Sequence, residues 1–245
     1  MEDITMWTRA ELKETGRNAF KANYWRTVLV SVIAMVIAGA GGSSIGAGGS
    51  SGAGAGTMQE AGEAAGQYGQ QATPETFLIG LLVSAIALAV LIIGLMVRAF
   101  ILNPLDLGCK RFFLINLTRP AEVSSIGGGF GDSYLERVKT LFCRDLFTLL
   151  WTMLLVIPGI VKYYEYLMIP YLLADDPSIT RQEAFAESRR LMQGSKWNAF
   201  ILDLSFIGWY ILSAVTMGIV GVLYANPYHD MTRAALYRKL IMENA

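Results

Sequence analysis

Apolar residues in this chain are gathered into long blocks, and the segments between the blocks carry nearly all of the charge. The clearest block, 77–97, reads FLIGLLVSAIALAVLIIGLMV, 21 residues without a charge. At 1.5 Å per residue it covers the roughly 30 Å of bilayer hydrocarbon. It predicts a transmembrane helix over 76–102, and a shorter apolar run predicts another over 25–42. Two later blocks do not fit one crossing each. The 29 mostly apolar residues of 146–174 would make a helix of roughly 43 Å, too long without strong tilt. Pro158-Gly159 is a natural break and predicts a hairpin of segments 140–157 and 159–174. In the block 197–225, Thr216-Met217-Gly218 predicts a turn between segments 197–215 and 217–241, the second running on into a C-terminal helix.

The polar intervals have patterns of their own. Residues 8–23 place Lys13, Arg17 and Lys21 in an i, i+4 row opposite a sparse apolar set of Leu12, Ala19 and Phe20. With Trp7 and Tyr24-Trp25 at its ends, this predicts an amphipathic helix at the cytoplasmic interface. Thr180-Arg-Gln-Glu183 is a capping box, so a cytoplasmic helix is predicted over 178–194, closed by Gly194. The region 104–139 is read as cytoplasmic. Its NPLDLGCKRFF string, with Lys110-Arg111 beside Phe112-Phe113, predicts a second interfacial helix, and its GGGFG string at 127–131 predicts a mobile loop. Residues 43–75 are rich in Gly, Ser, Ala and Gln with no Lys or Arg, a composition expected of an extracytoplasmic loop. Ala38-Gly39-Ala40 resembles a signal-peptide cleavage site. The region before it is long and mixed in charge, so a retained first span is expected.

Charge decides how many segments cross. Apart from Lys162, the Lys and Arg residues fall in four blocks: five in 9–26, seven in 98–144, four in 181–196 and three in 233–239. If both long stretches are hairpins, 19 of the 20 cations lie on one side. If each is a single span, the 181–196 block is forced across. The positive-inside rule therefore predicts an all-α polytopic membrane bundle of about six transmembrane segments in three hairpins, two of them with short or broken helices. Interfacial amphipathic helices complete it on the cytoplasmic side. Both termini are then cytoplasmic, and the turn at Thr216 lies outside.

Composition agrees with this class and removes others. The chain is 53% hydrophobic and only 16% charged, against about 25% charged in an ordinary soluble domain. Formal net charge is zero, so no basic field draws nucleic acid. Cys109 and Cys143 cannot build a disulfide framework. There is no H-E-x-x-H, C-x-x-C or P-loop, and one histidine, His229, read as an interfacial side chain. Two G-x-S-x-G matches at 42–46 and 48–52 lack the strand and helix that a nucleophile elbow needs. No enzyme activity, cofactor or metal is expected.

Candidate chemistry reduces to ionisable residues within apolar segments, which are costly and therefore informative. Lys162 and Glu165, three apart on one helix face, are expected to pair near the outer interface, with Lys162 snorkelling. Asp203 lies in the inner half of its segment. Its expected partner is a helix-packing hydrogen bond or Arg144, which sits at a similar depth. These four form the candidate intramembrane polar site. A shift of 172 residues superposes Thr8, Arg9, Glu11, Arg17 and Trp25 on Thr180, Arg181, Glu183, Arg189 and Trp197. Glycine followed by proline recurs as Gly94/Pro104, Gly159/Pro170 and Gly218/Pro227. Three related units are expected, each an interfacial helix and a hairpin; transporters often place sites between such repeats.

The string YEYLMIPYLLADDPSITRQEAFAESRRLMQGSKWNAFILDLSFIGW, with NPLDLGCKRFF, the terminal GIVGVLYANPY and the N-terminal LKETGRNAFKANYW, resembles the bacterial integral-membrane family called domain of unknown function 975. The likeness covers nearly the whole chain except the Gly/Ser loop. It departs at Ala22, where the family tends to have Gly, and at Tyr163, where it tends to have a small residue. The resemblance implies a multi-span protein of the bacterial cytoplasmic membrane, with no established activity and no catalytic residues to carry over. A scaffold, assembly or envelope-maintenance role is expected, its partners being the lipid bilayer and other membrane proteins or a second copy of the chain. The alternative is a small transporter or channel component using Lys162, Glu165 and Asp203.

The topology has a direct test in a background lacking Cys109 and Cys143. A single cysteine at Ser51 should react with an impermeant thiol reagent from outside, and one at Ser188 should not. Labelling at Ser188 would favour four segments over six.

Overall fold

The structure, a computed structural model, describes residues 7–40, 74–131 and 133–244. The Gly/Ser-rich loop except its last two residues, and with it both G-x-S-x-G matches, lies outside the described residues.

Every regular element among the described residues is helical. Helix α1, Arg9–Ala22, starts at Thr8, whose hydroxyl accepts the Glu11 N–H. At Asn23 the chain turns by 107° into α2, Tyr24–Ala40. The Asn23 amide donates at this corner to Asn116 Oδ1 at 2.8 Å and to the Ala121 carbonyl at 3.0 Å. Helix α3, Pro74–Val97, runs through a π-turn at Arg98–Leu102 into α4, Asn103–Asn116, as one rod. A 3₁₀ segment, Val123–Phe130, follows. Then come α5 (Tyr134–Leu154), α6 (Val156–Glu165), α7 (Ile169–Asp175) and α8 (Arg181–Met192). The chain closes with α9 (Lys196–Leu204), α10 (Ile207–Val215), a second π-turn at Gly221–Ala225, and α11 (Asn226–Asn244).

Two layers result. The buried core lies where α4, α7 and α11 meet, with α1 packed along α11. Leu107, Phe112 and Phe113 of α4, Met168 and Tyr171 at α7, and Met231 and Tyr237 of α11 are all buried, and the Tyr171 and Tyr237 rings stack at 5.7 Å. Each of these three helices opens on a proline: Pro104, Pro170 and Pro227. A proline there removes a backbone donor where helical hydrogen bonding is incomplete. Before Pro104 and Pro227 the helix widens to i→i+5 bonding, Asn103 N–H reaching Arg98 O and Asn226 N–H reaching Gly221 O. The wider turn makes room for a ring that would clash with the carbonyl four residues back.

The second layer is apolar and faces outward. Leu81, Val83, Ile86, Leu88 and Ile93 of α3 are all exposed. Among the described residues, two helical runs are long and apolar enough to cross a membrane, Leu78–Asn116 and Lys196–Val215, or three if the bent α1–α2 pair counts as one. The sequence pattern predicts six segments. The shortfall comes from the second hairpin, whose α6 is only 10 residues long, and from the charge carried by α11.

Two short segments also pack differently from the sequence expectation. The NPLDLGCKRFF segment is core, not an interfacial helix: Leu107, Cys109, Phe112 and Phe113 are at most 1% exposed. Lys110 points inward to Asp106 and Asp230. An amphipathic period fits a protein core as well as a headgroup layer. The GGGFG string is not a mobile loop, because its glycines permit close packing. A Cβ on Gly108 would stand 1.9 Å from the Ile126 carbonyl oxygen, and one on Gly129 would stand 1.9 Å from that of Pro104. Here the 3₁₀ segment lies backbone to backbone on α4.

Gly108→Ala should therefore lower stability by about 1–3 kcal/mol, an overpacking cost, read as a fall in thermal midpoint in detergent. Gly127→Ala, with nothing near its Cβ position, should change it much less.

Candidate functional site

The four sequence-selected residues fall into three separate ion clusters. Glu165, the last residue of α6, is 7% exposed. Its Oε1 accepts from Lys162 Nζ at 2.8 Å and lies 3.0 Å from Arg189 Nε. Its Oε2 accepts from Lys196 Nζ at 2.7 Å. The Ser188 hydroxyl donates to its backbone carbonyl at 2.7 Å. The i, i+3 pair is present, but one carboxylate serves three cations from α6, α8 and the start of α9. Arg189 and Lys196 belong to the 181–196 block, so Glu165 and Lys162 stand with that block. Lys162 and Arg189 also lie over the Tyr166 ring, each at 5.8 Å.

Asp203 on α9 is held by α11 and by the end of α6. Its Oδ1 faces His229 Nε2 at 2.9 Å and Arg233 Nε at 3.1 Å. Its Oδ2 accepts from Arg233 Nη2 at 2.6 Å and from the Tyr164 hydroxyl at 2.9 Å. The Phe206 ring packs against His229 at 4.8 Å between centroids. Side-chain exposures of Asp203, His229 and Arg233 are 14%, 9% and 16%, so all three are withdrawn from solvent.

Arg144 is not Asp203's partner. It bonds its neighbour Asp145 through Nε at 3.0 Å and Nη2 at 2.6 Å. Arg98 lies 3.7 Å from the same carboxylate. Depth along the sequence suggested Arg144, but α11 brings Arg233 beside Asp203. His229 is accordingly buried and not interfacial. The signal for it was present, since His229 and Arg233 are four apart and share a helix face. A fourth cluster, which the sequence reading missed, sets Lys110 3.6 Å from Asp106 and 3.9 Å from Asp230, with Ser31 donating to Asp230 at 2.9 Å.

Chemically these clusters are closed. Both Asp203 oxygens are engaged by donor groups, leaving the carboxylate poorly placed to take a proton from a substrate. Among the described residues no group of three or more His, Cys, Asp or Glu is placed to hold a metal ion. A cleft of about 610 Å³ runs between Trp7, Lys13, Asn198 and Ser205, and a small void lies between Leu107, Gly129 and Leu173. Neither is lined by Lys162, Glu165, Asp203 or Arg144.

Removing one member of a buried ion pair costs about 3–5 kcal/mol, whereas replacing both with apolar groups is often nearly neutral. Asp203→Asn should lower the thermal midpoint in detergent, and adding Arg233→Met should recover part of the loss. Adding Arg144→Met instead should recover none. Equal recovery by either second substitution would contradict the pairing.

Comparison with known proteins identifies one family, described as a protein of unknown function (DUF975), which matches residues 70–244. The match leaves out α1 and α2, where the sequence likeness had extended. No curated protein and no solved structure matches the chain.

Proposed function

The chain belongs to the DUF975 family of proteins of unknown function, and on that basis we propose that it is a non-enzymatic integral protein of the bacterial cytoplasmic membrane. It acts through contacts with lipid and with other membrane proteins or a second copy of itself, as a scaffold, assembly or envelope-maintenance component. The observation that carries this reading is that the buried charges neutralise one another. The Glu165 and Asp203 carboxylates are fully engaged by cations and hydroxyls of the chain, and they line neither the cleft at Trp7 and Ser205 nor the void at Leu107 and Leu173. A transport site needs such groups free to exchange a ligand or proton, and a catalytic site needs them free to touch a substrate.

Support for the membrane comes from the outward-facing apolar helices and from the segregation of cations. In this topology six apolar segments form three hairpins, and both termini are cytoplasmic. Lys162, the cation outside the four blocks, shares Glu165 with Arg189 and Lys196. On this reading the contact puts Lys162 on the same side as the others, in keeping with the positive-inside rule. Thr8 and Thr180 cap helices that precede exposed tryptophans, Trp25 and Trp197. This shared arrangement supports the related-unit reading.

The test uses proteoliposomes. Vesicles holding the wild-type protein should keep an imposed pH gradient and potassium diffusion potential as long as protein-free vesicles. Glu165→Gln and Asp203→Asn should lower the folded yield without altering flux. Wild-type flux abolished by either substitution would overturn the reading in favour of a transporter.

A further inference from the structure

We propose that the α5–α6 hairpin enters the bilayer from the cytoplasmic side and turns back inside the hydrocarbon, its partner being the acyl chains of the cytoplasmic leaflet. The inference rests on the membrane reading above and replaces the two crossings expected from segments 140–157 and 159–174.

Arm length is the first argument. The charge-free part of α5, from Leu146 to Leu154, has nine residues, and the whole of α6 has 10. At 1.5 Å per residue the arms reach about 13 and 15 Å, near half of the ~30 Å hydrocarbon. Among the described residues, the helical runs both long and apolar enough to cross lie elsewhere. The third hairpin differs, for its first arm, Lys196–Val215, has 20 residues.

Both arms are pinned at their bases by charge. Arg144 and Asp145 end the apolar part of α5, and Arg98 joins them. Glu165 ends α6 among Lys162, Arg189 and Lys196. Side chains of Arg189 and Lys196 are 55% and 33% exposed, as suits cations at the polar boundary of the membrane. Lys162 sits three residues nearer the tip and donates back toward Glu165, the direction in which a lysine snorkels.

The tip itself suits oil. Met153, Leu154, Leu155 and Ile157 are 77%, 69%, 63% and 77% exposed, with no charged residue between Leu146 and Val161. In water the turn would present a contiguous apolar patch. In hydrocarbon the difficulty moves to the backbone, whose polar groups must find partners within the protein. The Leu155 N–H donates to the Trp151 carbonyl, and the Gly159 N–H to that of Leu155, each at 3.1 Å. Pro158 has no N–H to satisfy. Gly159 lets the arms close: a Cβ there would stand 2.6 Å from Thr152 Oγ1.

Single cysteines at Leu155 and Ile157, in a background lacking Cys109 and Cys143, test the depth. Both sites are exposed on the protein, so either variant can fold if the other does not. On sealed vesicles of each orientation, an impermeant maleimide should label neither above the cysteine-free background, while Ser51→Cys reacts from outside. A nitroxide at either site should collide readily with oxygen and rarely with a water-soluble nickel complex. Labelling from outside would mean that the hairpin crosses. Labelling from the cytoplasmic side would mean that it lies in water. Either result overturns the insertion and leaves the membrane reading standing, provided Ser51→Cys still reacts from outside. Release of the whole protein by alkaline carbonate would overturn the membrane reading itself.

Discussion

Burying Asp203 between apolar helices strips its carboxylate of water, and only donors from the protein can replace that hydration. The donors come from well-separated parts of the chain: Tyr164 at the end of α6, and His229 and Arg233 on α11. Meeting this one requirement fixes how the second hairpin, the third hairpin and the C-terminal helix sit together. Glu165 does the same one turn away, tying α6 to α8 and to the start of α9. The tertiary arrangement of the second half of the chain is set largely by two carboxylates and the directions from which they must be approached.

The first half depends more on fit than on charge. Helix α4 lies in the middle of the core, and its neighbours reach it through the absence of side chains at Gly108 and Gly129. The corner at Asn23 is locked by Asn116, which also donates to the Ala19 carbonyl and to the Thr27 hydroxyl, each at 3.2 Å. A single buried amide thus holds α1 and α2 at their crossing angle against the end of α4. Such a network is valuable only when fully satisfied, and Asn116 finds acceptors on both sides of the bend.

What could be read from the sequence was local. The Thr180 capping box and the Lys162–Glu165 spacing depend on neighbours along one helix, and both are present. The family was legible in the long central string. What failed depended on contacts between distant segments. Arg144 was matched to Asp203 by depth, yet the fold delivers Arg233. The amphipathic NPLDLGCKRFF was assigned to a membrane surface because periodicity shows that a face is buried without showing what buries it. The GGGFG string suggested freedom, although its Gly129, like Gly108 of α4, is where two backbones touch. The number of crossings was not legible for a related reason, since an apolar stretch reports its preference for oil and says little about how deep it goes.

Leu78–Asn116 is a single helix of 39 residues, about 58 Å long at 1.5 Å per residue. Its first half is bare apolar surface, and most of the residues in its last turns are buried. Along it the ladder of backbone hydrogen bonds changes pitch at the π-turn of Arg98–Leu102 but is not broken. The outer end therefore has no swivel with respect to the core. A twist or tilt applied to Leu78 is carried as torque to Phe112 and Phe113, and through them to α7 and α11. Mechanically this helix is a shaft with one bare apolar end and a fixed seat in the core.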